Sequence, residues 1–472
     1  MAKGWVKRWS PTRPGEKGSL LPVLEIHRIS SIEEVLWRLP PSKSHAIRSL
    51  VLAAQSSEDV LLHNMRHAGQ DVVSMRRCLS QMGVNIIDVD EGGTEVHQPQ
   101  NGDDQPAPGS ASWKVKGVGP GGLKPPISVL HAGNSGTSLR ILMALASLQS
   151  TPIMLDGDAS LRRRSYPSML SSLRQLGVQV SHGVEEEGLP LLVQGPVRLD
   201  EPLVLDVAHS SQPTTAWYLS APSLPSSLQL RFDGEAVSRR HALLTKALCE
   251  STGAQIAHDV LVPWAPQFDR GAFTVPSDCS MLAFAFLMVT ATKAVVRLHD
   301  VPAVEDGLGH EILLDIAGQL GIDMDGLSLK PREAGQDVQV NLRDANDLIT
   351  PLAAMLALGG GGTITGAPHA AFKETNRLSG TVALLNQFGL NATQTKDGRL
   401  DVEGRQRLQT PKTVVETFGD HRMQMTALVL ATACDGKVKV EGPTLHEVAD
   451  PDAVERLRAA GVHLEVSLHQ PW

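Results

Sequence analysis

Paired cysteines are missing from this chain of 472 residues. Its four, Cys78, Cys249, Cys279 and Cys434, stand far apart and form no CxxC pair. That spacing speaks against a zinc site or a disulfide framework and makes a reducing cytoplasm the expected compartment. Positive charge is also in short supply. With 43 Lys and Arg against 51 Asp and Glu, the formal net charge is −8, whereas nonspecific nucleic-acid or membrane binding needs a basic surface. Any anion site must therefore be a local gathering of cations. No apolar run reaches a membrane span, because the longest, near 281–296, is broken by Thr290, Thr292 and Lys293. Residues 1–20 are basic, rich in Pro and Gly, and lack a hydrophobic signal region. They read as a loose tail.

What is present is enough apolar material for a large core, at 42% hydrophobic and 20% charged, and a length that calls for two domains. A helical stretch followed by Gly and an apolar residue recurs as QMGVNI, QLGVQV, STGAQI, QLGIDM, QFGLNA and AAGVHL. Each reads as a helix closed by a left-handed Gly before a strand. The spacing, roughly 70 to 90 residues, is too long for a solenoid repeat of about 20 to 50. Six copies of one α+β subdomain are expected, three in each of two domains. Polar stretches before Trp113 and around Glu187 read as loops.

The cations collect at helix starts. In PPSKSHAIR, two prolines end whatever precedes and Ile47, Leu50, Val51 and Ala54 recur at helical spacing. A helix begins there with Ser42 or Ser44 as cap, Lys43 at its mouth, and Ser44 and Arg48 four apart on one face. Ammonium, hydroxyl, guanidinium and free N–H groups at one point suit a phosphate. Alone, the stretch equally fits a capped surface helix. HAGNSGTSLR places Gly136 in a turn entering a helix with Arg140 in its first turn, and it lacks the Lys-Ser/Thr of a Walker loop. Arg162 to Arg164 follow, then Ser210, Ser211 and Gln212 before Pro213, at the start of a helix. KETNR sets Lys373 and Arg377 on one helix face with Glu374 one step round, and GDHR puts Asp420, His421 and Arg422 at the start of a buried helix. A capping Asp with a solvated Arg would look the same. Capped surface helices do not explain why so many mouths in an acidic protein carry Arg or Lys.

In that order, SKSHAIR, GNSGTSLR, SLRRRS, SSQ, AVSRRH, KETNR and GDHRMQM resemble the motifs of the 5-enolpyruvylshikimate-3-phosphate synthase family, from about Pro40 to the end of the chain. The wording is closer to archaeal or second-class bacterial members. The resemblance implies an α+β fold (α/β by some schemes) of the inside-out barrel type. One domain would span 42–275 and the other 21–41 with 276–472. It also implies transfer of an enolpyruvyl group from phosphoenolpyruvate to the 5-hydroxyl of shikimate 3-phosphate with release of phosphate, in aromatic amino-acid biosynthesis. The implied catalytic residues are Asp347, Glu374 and Lys43. Glu374 would be the acid/base at the methylene, Asp347 would accept the hydroxyl proton, and Lys43 would assist while binding both substrates. Ser44, Arg48, Ser210, Ser211, Gln212 and Ser238 would hold shikimate phosphate, Gly136, Arg164, Arg377 and Arg422 would hold phosphoenolpyruvate, and Lys373 and Asp347 would also bind substrate. The expected protein is a monomer needing no metal or cofactor, with no nucleic-acid or membrane partner. It departs from the pattern at Ser165, at Asn346 before Asp347, at Asn376, and in lacking a late Lys near Val448. Asp347 is preferred to Asp344 because Leu348, Ile349 and an apolar helix follow it.

The substrates bring about five negative charges together, since each phosphate carries about −1.5 to −2. Lys43, Arg48, Arg164, Lys373, Arg377 and Arg422 answer them, with Arg140 and Arg239 as further candidates, and the arginine fork suits carboxylate and phosphate. Two poised carboxylates suffice for the proton transfers. The competing readings are an enolpyruvyl transferase with another hydroxylated acceptor and a non-catalytic phosphosugar-binding relative.

Overall fold

The computed structural model describes residues 21–469 apart from 29–30, 97–104, 184–187, 209 and 334. The stretch read as a tail, the loop at Glu187 and the first part of the polar insert before Trp113 lie outside the described residues.

All six repeat glycines, Gly83, Gly177, Gly253, Gly321, Gly389 and Gly461, have positive φ, between 70° and 106°. This is the left-handed turn that glycine adopts without a Cβ penalty. Helix Gln70–Gln81, for instance, passes through Gly83 into strand Asn85–Val89. The strands that follow the six turns fall in six separate sheets of three to five strands.

Inside the sheets run the helices Lys43–Ala54, Gly136–Ser147, Gln212–Ser220, Leu282–Thr292, Ile349–Leu358 and His421–Thr432. Every residue of His421–Thr432 is buried, as are residues 45–54 of the first helix. Burial on all sides explains why these helices are apolar around their circumference rather than along one stripe. Of the first three, Gln212–Ser220 packs against both of the others, and the last three all pack on one another. Buried apolar residues accordingly form two clusters, one from Ala46 to Val275, the other from Leu24–Leu39 together with Met281–Leu464. This is an α+β fold with helices inside and sheets outside.

The chain passes between the clusters twice, and the two crossings lie side by side. Ser42 N donates to Pro276 O at 2.8 Å and Asp278 N to Pro40 O at 2.8 Å, with a bridge between Pro41 and Ser277. The mouth of helix Lys43–Ala54 is thereby fixed beside Asp278.

Each cluster contains a buried guanidinium gripped by one carboxylate and covered by an indole. Arg76 reaches both oxygens of Asp88, at 2.6 and 2.8 Å, and lies 4.6 Å from the centre of the Trp113 ring. Asp88 also accepts from Ser110 Oγ and Ala107 N. Arg456 reaches both oxygens of Asp450, at 2.7 and 3.1 Å, and lies 4.6 Å from the Trp37 ring. Removing the carboxylate strands a buried charge, which costs about 3–5 kcal/mol. Asp88→Ala is expected to lower stability by about that amount in chemical denaturation; a loss under about 1 kcal/mol, the value of an exposed pair, would show that the clamp carries no such weight.

Candidate active site

The mouths of the inner helices converge where the two clusters meet. Lys43 opens its helix, and its Nζ lies 2.9 Å from Asp71 Oδ2. Ser42 occupies the cap position, but its hydroxyl pairs with His45 Nδ1 at 2.9 Å and makes no cap bond. The Lys43 amide donates instead to Asp278 Oδ2 at 3.3 Å. Ser44 lines a small cavity with Lys43, Asp347 and Arg422. Arg48 is buried and already committed: it donates to Thr245 Oγ1 at 2.8 Å, Ser44 O at 2.8 Å, Thr215 Oγ1 at 3.2 Å and His241 O at 3.4 Å.

Gly136 opens the next inner helix, capped by Ser135 Oγ, which accepts from Ser138 N. A Cβ at Gly136 would stand 3.1 Å from Arg140 Nη1 and 3.2 Å from Arg164 Nη1. Two guanidinium groups therefore face a bare backbone. Arg140 donates to Gln212 Oε1 at 2.5 Å, and Gln212 Nε2 donates to Thr137 Oγ1 at 3.1 Å. Ser210 Oγ accepts from Gln212 N at 3.1 Å, and Ser211 is buried at the cap of the same helix.

Across the junction, Arg377 is bound by three carboxylates. Its Nε donates to Asp420 Oδ2 at 2.8 Å, its Nη2 to Glu374 Oε2 at 2.7 Å and its Nη1 to Asp347 Oδ1. Asp347 Oδ2 accepts from Arg422 Nη2 at 3.1 Å. Glu374 Oε1 lies 3.6 Å from Arg164 Nη2, an ion pair between the two clusters. Lys373 does not share a helix face with Arg377, contrary to its spacing, and Glu374 also lies outside the helix. The helix starts only at Arg377, because Asn376 caps it by accepting from Leu378 N and Ser379 N at 3.2 and 3.3 Å. Asn376 thus serves as an N-cap as an aspartate would. Arg422 is not solvated but 2% exposed.

Burial disfavours the charged forms here, and the partners decide the outcome. Glu374 is held well below the usual carboxylate range against burial by Arg377 and Arg164, and Asp347 likewise by Arg422, Arg377 and Lys373. Burial would lower the Lys43 ammonium, yet Asp71 holds it above the ordinary lysine value. Burial lowers Lys373 despite the opposing pull of Asp347. Arg140 drops to about 10 through burial.

Arg239 is not brought to the site: its side chain is exposed and its amide donates to Asp344 Oδ1 at 2.9 Å. Asp344 lines a different cavity from Asp347, with Arg240 and Arg343. Ser238 sits at the junction in left-handed conformation, its hydroxyl 3.5 Å from Asn346 Nδ2. Asp71, Asp278, His241 and His310 escaped the sequence reading. An acidic residue in a first helical turn signalled Asp71; His241 stood only as the last residue of AVSRRH, and nothing local marked His310.

A sequence profile of the EPSP synthase family, 3-phosphoshikimate 1-carboxyvinyltransferase, matches residues 26–457. The chain is 28% identical to the 3-phosphoshikimate 1-carboxyvinyltransferase of Methanothermobacter thermautotrophicus over 452 residues, covering 94% of this chain and all of that one. It is 27% identical to the protein of the same name from Streptococcus mutans, covering 86% and 92%. In fold it is similar to EPSP synthase from Acinetobacter baumannii, with a TM-score of 0.70 at 23% identity over 94% of this chain and the whole of that one. It is also similar to the enolpyruvyl transferase NikO from Streptomyces tendae, with a TM-score of 0.66 at 14% identity, covering 95% and 100%. With its profile matched over nearly its whole length, the chain belongs to the EPSP synthase family.

Proposed function

We propose that the gathered side chains at the junction carry the activity of the family: transfer of the enolpyruvyl group of phosphoenolpyruvate to the 5-hydroxyl of shikimate 3-phosphate, with release of phosphate. The observation that supports this most directly is a set of buried guanidinium donors without a partner among the described residues: Arg164 Nε, beside the bare Gly136 turn, and Arg422 Nε and Nη1, on the cavity with Lys43 and Asp347. An unpaired buried donor costs about 1–3 kcal/mol, more when charged. A phosphate or carboxylate seated there would recover that cost.

Arg164, Lys373, Arg377 and Arg422, with the Gly136 backbone, hold phosphoenolpyruvate in this reading. Ser44, Ser210, Ser211, Gln212 and Ser238 hold the acceptor, with Lys43 between the two. Arg48 reaches the acceptor by exchanging one of its protein bonds, and otherwise braces the Ser44 carbonyl. Glu374 serves the methylene carbon. An anion that takes up the charge of Arg377 and Arg164 removes what holds the Glu374 carboxyl down, so substrate binding itself raises its proton affinity. Asp347 is the carboxylate on the side of the attacking hydroxyl. We assign the two buried clusters as two domains, at 42–275 and at 21–41 with 276–472. The enzyme is taken as a cytoplasmic monomer, all four of its cysteines being buried.

Phosphate release by the purified protein from phosphoenolpyruvate and shikimate 3-phosphate tests the activity. No release above that with phosphoenolpyruvate alone would refute it. Asp347→Asn should lower kcat by about a hundredfold or more while shikimate 3-phosphate binding stays within a few-fold, and Asp344→Asn should do little. The reverse ranking would move the catalytic carboxylate. Gly136→Ala should raise KM for phosphoenolpyruvate at least about tenfold without changing the melting temperature, because the Cβ enters the space between Arg140 and Arg164. An unaltered KM would leave this turn a structural one.

A further inference from the structure

Asp347 is poorly placed to act alone as a base. Both its oxygens are taken by guanidinium groups, Oδ1 by Arg377 and Oδ2 by Arg422. The cavity that it shares with Lys43, Ser44 and Arg422 has another polar wall, formed by His241 and His310. Their rings meet edge to face with centroids 6.4 Å apart. His310 is 4% exposed, and its Nδ1 lies 2.9 Å from Gly307 O. A carbonyl oxygen only accepts, so Nδ1 carries the proton and Nε2 keeps its lone pair.

We propose that His310 is a further catalytic residue, whose Nε2 takes the proton of the attacking hydroxyl while Asp347 steadies the imidazolium formed. This rests on the enolpyruvyl-transfer reading and deepens it. As the O–H proton passes to Nε2, the hydroxyl oxygen forms a bond to C2 of phosphoenolpyruvate, and the C2=C3 electron pair takes a proton from Glu374 at C3. In elimination Glu374 recovers that proton, the C2=C3 bond returns and the bond from C2 to the phosphate oxygen breaks. The leaving phosphate receives the proton from His310. No other reactant is required.

The charged and titratable groups facing His310 are Asp347, Arg422, Asp278 and His241, with Lys43 and Asp306 on the same cavity. Burial lowers the imidazole below its ordinary value, with Arg422 acting in the same direction and Asp347 opposing. The ring is therefore neutral and ready at neutral pH. Activity should fall as pH drops through that lowered value, on the acid side of about 6.5.

The test uses two variants of the full chain. His310→Asn can keep the donor to Gly307 O and loses the base; His310→Gln can place a neutral amide near the position of Nε2. With shikimate 3-phosphate binding by calorimetry within threefold of wild type, both should lose about a hundredfold in kcat, and the acid limb of kcat/KM should disappear. Three results would overturn the proposal: kcat within threefold of wild type in either variant, an unchanged acid limb, or loss of shikimate 3-phosphate binding in step with the rate. If wild-type protein shows no turnover, the activity itself falls and this inference with it. Wild-type turnover with unaffected variants removes only the role of His310.

Discussion

The Arg377 guanidinium is the constraint on which the site depends. Burial alone would lower its proton affinity, and Asp420, Glu374 and Asp347 more than reverse that. A buried cation is retained only where partners offset the loss of water. Here the partners come from the loop before its own helix, from the cap of helix His421–Thr432 and from the start of Ile349–Leu358. One side chain therefore sets the relative positions of two inner-helix mouths and the start of its own helix. It also holds the Glu374 and Asp347 carboxyls below their usual range.

The fold brings these mouths together through its inverted layering. Helices buried all round have no polar face on which to place function, so the chemistry moves to their ends, where unpaired N–H groups are available. The paired crossings at Pro40–Ser42 and Pro276–Asp278 then hold helix starts from both clusters at one junction. Arg164 facing Glu374 across that junction, and Ser238 beside Asn346, make the arrangement a property of both halves together.

Departures from the family pattern have local physical accounts in part. Asn376 accepts two backbone N–H groups at its helix start, as an aspartate would. Asn346, in place of the usual proline, bonds His369 Nε2 at 3.0 Å and reaches Ser238. Nothing in the structure explains the absence of a lysine near Val448.

The sequence by itself determined the six-fold repeat, the left-handed glycine turns and the cationic helix starts, because glycine conformation, capping and apolar periodicity are local properties of the chain. Tertiary structure decided what those cations touch. Arg48 and Arg377 are both basic residues near a helix start, yet one is spent on hydroxyls and carbonyls and the other on three carboxylates. Arg239, equally basic, stays outside. The placement of Asp71 against Lys43 and of His310 on the cavity wall likewise depends on packing between segments far apart in sequence. Distant burial fixes both the partner and the dielectric around a charge, and neither is written in its neighbours along the chain.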